Sequence, residues 1–306
     1  MKLLFSNRFK AFAFATAFLL VLSSCKKDEV TPTQDEAVTD TAIIQNANET
    51  ARADESFTNL DDVTQVASEE DDEASPATPG GAYNPSFGRL RDIIGNCATI
   101  TVTPHDGTFP KTISIDFGNG CIGLDGKRRA GKIMIFMTDR RSHPNSVITT
   151  TLVNYSVDFI QLQGTKVCTN NSNADGIRFS VDIEGGKVIF PNNHGYDFEM
   201  HKNKRQIAGQ ATASPMDNVF EITGTSNVHF FNGNNIHVST QVPVIKAVNC
   251  HWRSDGILKI VVSNSNHNFN FLFNYGYPAT SGAGACDNLA LLSWNNGNGS
   301  TIITLP

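Results

Sequence analysis

Ile177-Arg178-Phe179-Ser180-Val181-Asp182-Ile183 alternates an apolar with a polar side chain at every step. Successive side chains of an extended strand point to opposite faces, so this stretch buries one face and wets the other. The same alternation recurs on both sides of it. Upstream it runs through Ala98-Thr-Ile-Thr-Val-Thr103, Lys111-Thr-Ile-Ser-Ile-Asp-Phe117 and Lys132-Ile-Met-Ile-Phe-Met137; downstream it runs through 234–242 and 268–273. One wet face favours antiparallel pairing. Asp125-Gly126, Glu184-Gly185-Gly186, Asn232-Gly233-Asn234, Asp255-Gly256 and Asn296-Gly297 read as the turns between strands. The pattern predicts an all-β domain over 83–306, with roughly 12–14 strands and no helix. Its architecture is an antiparallel β-sandwich or a partly open β-barrel. Most of the 20 Phe fall at alternating strand positions and read as core.

Charge divides the chain ahead of this domain from the domain itself. Residues 26–82 hold 15 acidic and 3 basic residues, a net charge of −12, whereas 83–306 hold 15 acidic and 18 basic, a net +3. With +3 on the first 25 residues these give the formal −6 of the whole. The segment 25–82 therefore reads as an acidic tether, since like charges along a linker repel and extend it. Its 57 residues after Cys25 could span about 190 Å fully extended. Glu69-Glu70-Asp71-Asp72-Glu73, followed by Ser75-Pro76-Ala77-Thr78-Pro79-Gly80-Gly81, reads as linker. Within the tether, Phe57, Leu60, Val63 and Val66 recur every three residues, and Pro and Gly are absent from 37–75. That permits an amphipathic helix over about 41–68, whose narrow stripe would need a surface to cover it. Disorder is the competing reading.

The first 24 residues read as a secretory signal. Lys2, Arg8 and Lys10 precede an apolar run from Ala11 to Leu22, which is too short to span a bilayer as a helix. Leu22-Ser23-Ser24-Cys25 follows and resembles the bacterial lipobox, which implies a lipid on Cys25. Several buried acyl chains anchor a protein stably where one does not. Lys26-Lys27-Asp28-Glu29 resembles the surface-export signal of Bacteroidota lipoproteins, which implies the outer membrane and its outer leaflet. Asp40-Thr41-Ala42 resembles the short O-glycosylation motif of the same phylum.

After Cys25 five cysteines remain: Cys97, Cys121, Cys168, Cys250 and Cys286. An exported chain permits disulfides, and two bridges can be drawn among five cysteines in about fifteen ways. Nearness in sequence favours Cys97 with Cys121 and Cys250 with Cys286. Cys168 then lies in a strand, where a buried thiol is the expected state. No CxxC is present, so a zinc or thioredoxin-type site has no support.

A longer block, Ile115-Asp-Phe-Gly-Asn-Gly-Cys-Ile-Gly-Leu-Asp-Gly-Lys-Arg-Arg-Ala-Gly-Lys-Ile133, resembles one shared by uncharacterised Bacteroidota lipoproteins. Gly164-Thr165, the run from Cys250 to Gly256 and Gly284-Ala-Cys-Asp-Asn288 extend the resemblance over most of 97–306. It implies the all-β fold and the same two cysteine pairs, and it brings no activity. Cys168 departs from the group, where apolar residues are usual.

Three constellations could carry chemistry. Asp197, Glu199 and His201 share one face of a strand and could bind metal or run acid–base catalysis; a wet strand face looks the same. Asp116, Asn119 and Asp125, set among Gly118, Gly120 and Gly123, have the oxygen side chains that suit Ca²⁺, although turn formation explains them equally. Lys127-Arg128-Arg129-Ala130-Gly131-Lys132, with Arg140 and Arg141, could meet anionic glycan or lipid headgroups, lie solvated, or receive the chain's own acidic tether. No cofactor is indicated, and a core of only +3 argues against nucleic acid. GxSxG, HExxH and P-loop motifs are absent, which removes the main ground for asserting an enzyme.

The expected function is non-enzymatic binding, to a glycan, a peptide or an envelope partner. Trp252, Trp294, Tyr275 and Tyr277 are the candidate ligand-binding aromatics, with core packing the expected use of Trp252. The alternatives are an extracellular hydrolase using carboxylates or His, whose carboxylates need leave no short motif, and a structural envelope protein.

Overall fold

The structure is a computed structural model that describes residues 49, 56–57, 59–76, 81–191, 194–212, 214–263, 268–277, 286–294 and 297–305. The expected signal peptide, Cys25, Lys26–Glu29 and Asp40–Ala42 lie outside the described residues. Thr41–Pro306 cluster as one compact unit, so the expected boundary between tether and β domain at 82/83 falls inside it. No helix among the described residues is long and apolar enough to cross a membrane.

Among the described residues, fourteen strands form a single antiparallel sheet. They are β1 (Thr99–Thr103), β2 (Lys111–Asp116), β3 (Cys121–Ile122), β4 (Arg128–Met137), β5 (Val147–Val157), β6 (Ile160–Asn170) and β7 (Arg178–Ile189). β8 (Gly195–Ala208), β9 (Val219–Phe230), β10 (Asn235–Ala247), β11 (Asp255–Ser263), β12 (Asn268–Asn274), β13 (Leu289–Trp294) and β14 (Gly299–Thr304) follow. Each strand pairs with its neighbours in sequence, except that β2 pairs with β4 and the two-residue β3 pairs with β4 off the main path. The sheet is not closed, and β1 and β14 are its two edges.

The alternation read from sequence sets the register. Ile115 lies opposite Ile133 and Ile113 opposite Ile135. Phe198 lies opposite Val228, and Ile260 opposite Phe271. All of these are buried on the inner face, in one hydrophobic cluster that runs from β1 to β14. A twisted sheet this wide curls rather than staying flat, which lets one face form one core.

Two of the expected turns are instead parts of strands. Glu184-Gly185-Gly186 lies within β7, where the pairing with β8 shifts between Ile183 and Gly186. The glycines make a bulge and a close approach rather than a reversal: a Cβ on Gly164 would sit 2.8 Å from the Gly186 Cα. Asp255-Gly256 opens β11.

Two α-helices accompany the sheet among the described residues: one in the segment where the sequence permitted a helix over about 41–68, and one in 83–306, where it predicted none. The first, α1, covers 59–74, and residues 49, 56 and 57 are helical ahead of it. Phe57, Leu60, Val63 and Ala67 are its buried stripe, three and four residues apart. Each side chain of Leu or Val size buried this way contributes roughly 1.5–3 kcal/mol. Glu69–Glu73, expected as linker, is its last turn and a half. The second, α2 (Gly88–Ile94), buries Leu90 and Ile94.

Candidate functional site

The inner face of the sheet is cationic where α1 lies on it. Lys111 and Asp71 form an ion pair of 3.0 Å in which both side chains are 0 % exposed. The Lys111 ammonium also donates to Ser75 Oγ at 2.9 Å and lies over the Tyr83 and Phe109 rings. The Tyr83 hydroxyl donates to Asp71. Burial, with the Asp71 carboxylate beside it, pushes the Tyr83 phenol well above its ordinary range.

Arg140 pairs with Asp72 at 3.2 Å and Arg141 with Glu69 at 3.6 Å. Arg129 donates to Asn59 Oδ1 at 2.7 Å and grips Asp125 through both Nη atoms, at 3.0 and 2.5 Å. Three members of the expected basic cluster therefore do hold the chain's own acidic segment. That is why Glu69–Glu73 is helix and not linker: cations of the sheet offset the repulsion that would extend it. Of the others, Lys132 pairs with Asp116 at 3.0 Å and Arg128 donates to the Asn119 carbonyl.

Asp61 sits between Lys166 of β6 and Lys204 of β8. Asp62 lines a cavity with these three, and its charge favours the Lys166 ammonium. Burial pulls both lysines down to about 8, with Arg141 adding to the fall at Lys166 and Lys246 and Arg253 adding to it at Lys204. Small cavities of about 50 and 60 Å³ lie beside these residues, the larger walled by Ile222, Val238, Leu258 and Phe273. A site for a drug-sized ligand needs about 300 Å³ or more.

A groove of that size lies at the sheet's edge. It encloses about 320 Å³ between α2 and β1 and is lined by Pro85, Phe87, Arg91, Ile100, Val102 and His105, with Ser86 and Thr101. Three consecutive residues, Ile100 to Val102, line it although their side chains alternate in direction, so it runs along the strand's edge rather than over one face. β1 pairs with β2 on its other side. The groove wall is braced from within, since the His105 ring packs edge-on against Tyr83 with centroids 4.9 Å apart. Phe87, buried at the head of α2, holds a left-handed backbone with φ 51°.

The residues expected to act are dispersed. Tyr275 is 5 % exposed and accepts a 2.5 Å hydrogen bond from Arg253. Trp252 and Trp294 pack half-buried against the core, and Tyr277 is half-buried. These four do not form an exposed aromatic strip. Asp197, Glu199 and His201 do share the exposed face of β8, where Asp197 pairs with Lys187 and His201 with Asp182. The oxygens proposed for Ca²⁺ are not drawn together: Asp116 faces Lys132, Asp125 faces Arg129, and the Asn119 carbonyl faces Arg128. No group of three or more His, Cys, Asp or Glu among the described residues could hold a metal ion.

The two expected cysteine pairs are bonded, Cys97 to Cys121 with Cα atoms 5.9 Å apart and Cys250 to Cys286 with 5.6 Å. Cys168 is free and buried, with Arg141 Nη1 donating to its sulfur at 3.8 Å. The groove went unseen in the sequence because α2 spans only seven residues. The signal was the spacing of Phe87, Leu90 and Ile94. No protein-family model, no curated protein and no solved structure matches the chain.

Proposed function

We propose that the chain is an outer-membrane lipoprotein, held by lipid on Cys25 and displayed at the cell surface, whose β module binds an extended peptide segment along β1 and performs no chemistry. The observation that carries this reading is the groove of about 320 Å³ that follows the edge of β1 beside α2. An edge strand offers a row of backbone donors and acceptors, and proteins that avoid strand addition guard such edges with Lys, Pro or a bulge. Thr99-Ile-Thr-Val-Thr103 has none of these and pairs with β2 in unbroken register. Strand addition supplies affinity through the backbone, while neighbouring pockets select side chains. Phe87 and Val102 form an apolar floor, and Arg91 offers a guanidinium for a carboxylate on the peptide.

The address rests on Leu22–Cys25 and Lys26–Glu29, and on the resemblance to Bacteroidota lipoproteins. A glycan partner is less well supported, because the aromatics that would stack on sugar rings pack into the core. A hydrolase is disfavoured by the engagement of Asp197 and His201 with Lys187 and Asp182 on an open face.

Panning a phage-displayed library of random 12-residue peptides against the immobilised chain tests the reading. It should return extended sequences whose binding falls about tenfold or more with Thr101→Lys, a charge placed on the edge, with Tm unchanged. Peptides indifferent to both Thr101→Lys and Arg91→Ala would sink it. Release of reducing ends from a glycan array would put the hydrolase in its place.

A further inference from the structure

At one end of the sheet the turns carry apolar tips. Ile122, Leu124 and Phe159 are 67 %, 74 % and 64 % exposed. Ile122 and Phe159 flank Arg128, and Leu124 stands on the adjoining turn. Ile122 lies opposite Arg128 in the β3–β4 pairing, and the Arg128 guanidinium lies 4.9 Å from the centre of the Phe159 ring. The Asp158 amide donates to its carbonyl at 2.8 Å, and Leu124 is two residues beyond Ile122 in the turn closed by Gly126. Single exposed apolar side chains are ordinary, whereas three on adjoining turns mark a contact surface.

The backbone under Phe159 is a second observation. Asp158 and Phe159 are the two residues between paired Val157 and Ile160, with φ 48° and 66°. Hairpin turns of this kind favour Asn-Gly, because a side chain as bulky as Phe fits that region poorly. An exposed Phe kept there serves no core; beyond its contact with the Arg128 guanidinium, most of its ring is open to an outside surface.

The third observation is where the chain enters. Glu49 lies 3.3 Å from His194, in the β7–β8 connection. From there the chain passes Asn59 at Arg129, near the start of β4, and α1 carries it to Asp72 at Arg140, beyond its far end. The β7–β8 connection, the start of β4 and the β5–β6 turn share one end of an antiparallel sheet. The chain thus arrives at the end that carries the apolar tips. Cys25 lies 24 positions before Glu49, at most about 80 Å away along the chain.

We propose that this end is a membrane-docking surface: Ile122, Leu124 and Phe159 enter the headgroup boundary of a lipid bilayer while Arg128 and Lys127 meet its phosphates. The proposal rests on the reading of Cys25 as the lipid anchor, which keeps this end at high local concentration over the bilayer, so a weak contact suffices. Of the nearby carboxylates, Asp125 is held by Arg129, while Asp158 accepts the Arg128 amide and keeps its charge, leaving Arg128 and Lys127 as the cations that face the phosphates.

The test uses the mature chain from residue 25 with Cys25→Ser, floated with vesicles of phosphatidylethanolamine and phosphatidylglycerol. The unacylated chain should float, and Leu124→Ser with Phe159→Gly should weaken partitioning at least about tenfold. Phe159→Gly alone should leave Tm unchanged or raised, because glycine suits the positive φ. Ile177→Ser with Met216→Ser, at the opposite end, should change nothing. Absence of flotation, full flotation of the Leu124/Phe159 variant, or an equal loss from the opposite-end pair would each overturn the proposal. The mass of the N-terminal peptide isolated from cells reads acylation of Cys25 separately, so the anchor and the dock fail independently.

Discussion

At position 125 a single carboxylate compensates a buried guanidinium. Arg129 is almost wholly enclosed, and both its Nη atoms reach Asp125. Burial alone would raise the Asp125 pKa, but the hydrogen bonds and charge of Arg129 outweigh it and hold the carboxyl below its ordinary range. Asp125→Asn should therefore cost about 3–5 kcal/mol at pH 7, because it strands the buried charge. The sign with pH follows from the lowered value. Stability from the pair is fully present above the unfolded carboxyl's pKa and is lost as pH falls through the folded one. The gap between parent and variant should be full at pH 7 and close as pH drops below about 4, the ordinary carboxylate range. Urea unfolding at pH 7 and pH 3 measures it; a gap of equal size at both would refute the assignment. Sequence reading named Asp125 and Arg129 but placed them in separate roles, because the fold-back that joins them depends on the β3–β4 turn.

Helix α2 is capped by a residue far from it in sequence. Phe87 offers no side-chain cap, and the Arg89 and Leu90 amides instead donate to the Glu70 carboxylate at 3.0 and 2.9 Å. Glu70→Ala should cost about 0.5–2 kcal/mol. Its signature should be local, with faster hydrogen exchange at the Arg89 and Leu90 amides; exchange unchanged there would show that the cap contributes nothing. The elements were legible to different degrees for physical reasons. Strands such as Arg178–Ile189 announce themselves through alternation, since that pattern is the direct imprint of a half-buried sheet. Glu184-Gly185-Gly186 misleads because glycine serves a bulge and a turn equally well. Phe57, Leu60 and Val63 betray a stripe, but Glu69–Glu73 reads as solvated until the facing cations are known.

The whole molecule depends on α1 to complete its core. Phe57 packs against Phe198 with ring centroids 4.4 Å apart, and Leu60, Val63 and Ala67 are buried in the cluster shared with the sheet. A fragment from Tyr83 onward keeps every strand yet exposes that face, together with Lys111, Arg129 and Lys166. It should fail to give a dispersed amide NMR spectrum, and adding 49–82 as a separate peptide should restore part of it. A well-folded fragment would show that α1 is dispensable. The groove belongs to this scale as well. That β1 is an edge follows from the order of all fourteen strands, which no local window of sequence contains.

The direction of α1 also sets how the molecule bears load. A pull on the chain ahead of Asn59 acts along α1, which runs beside β4 from Arg129 near its start to Arg140 beyond its end. The contacts at Asn59, Asp61, Glu69, Asp71 and Asp72 are then strained together in shear instead of being peeled one after another. Resistance to force is a matter of unfolding rate, and attachments stretched in parallel raise that barrier together. A load passed between the sheet and the chain ahead of α1 would thus be opposed by the whole seam at once, as a lap joint is stronger than a zipper.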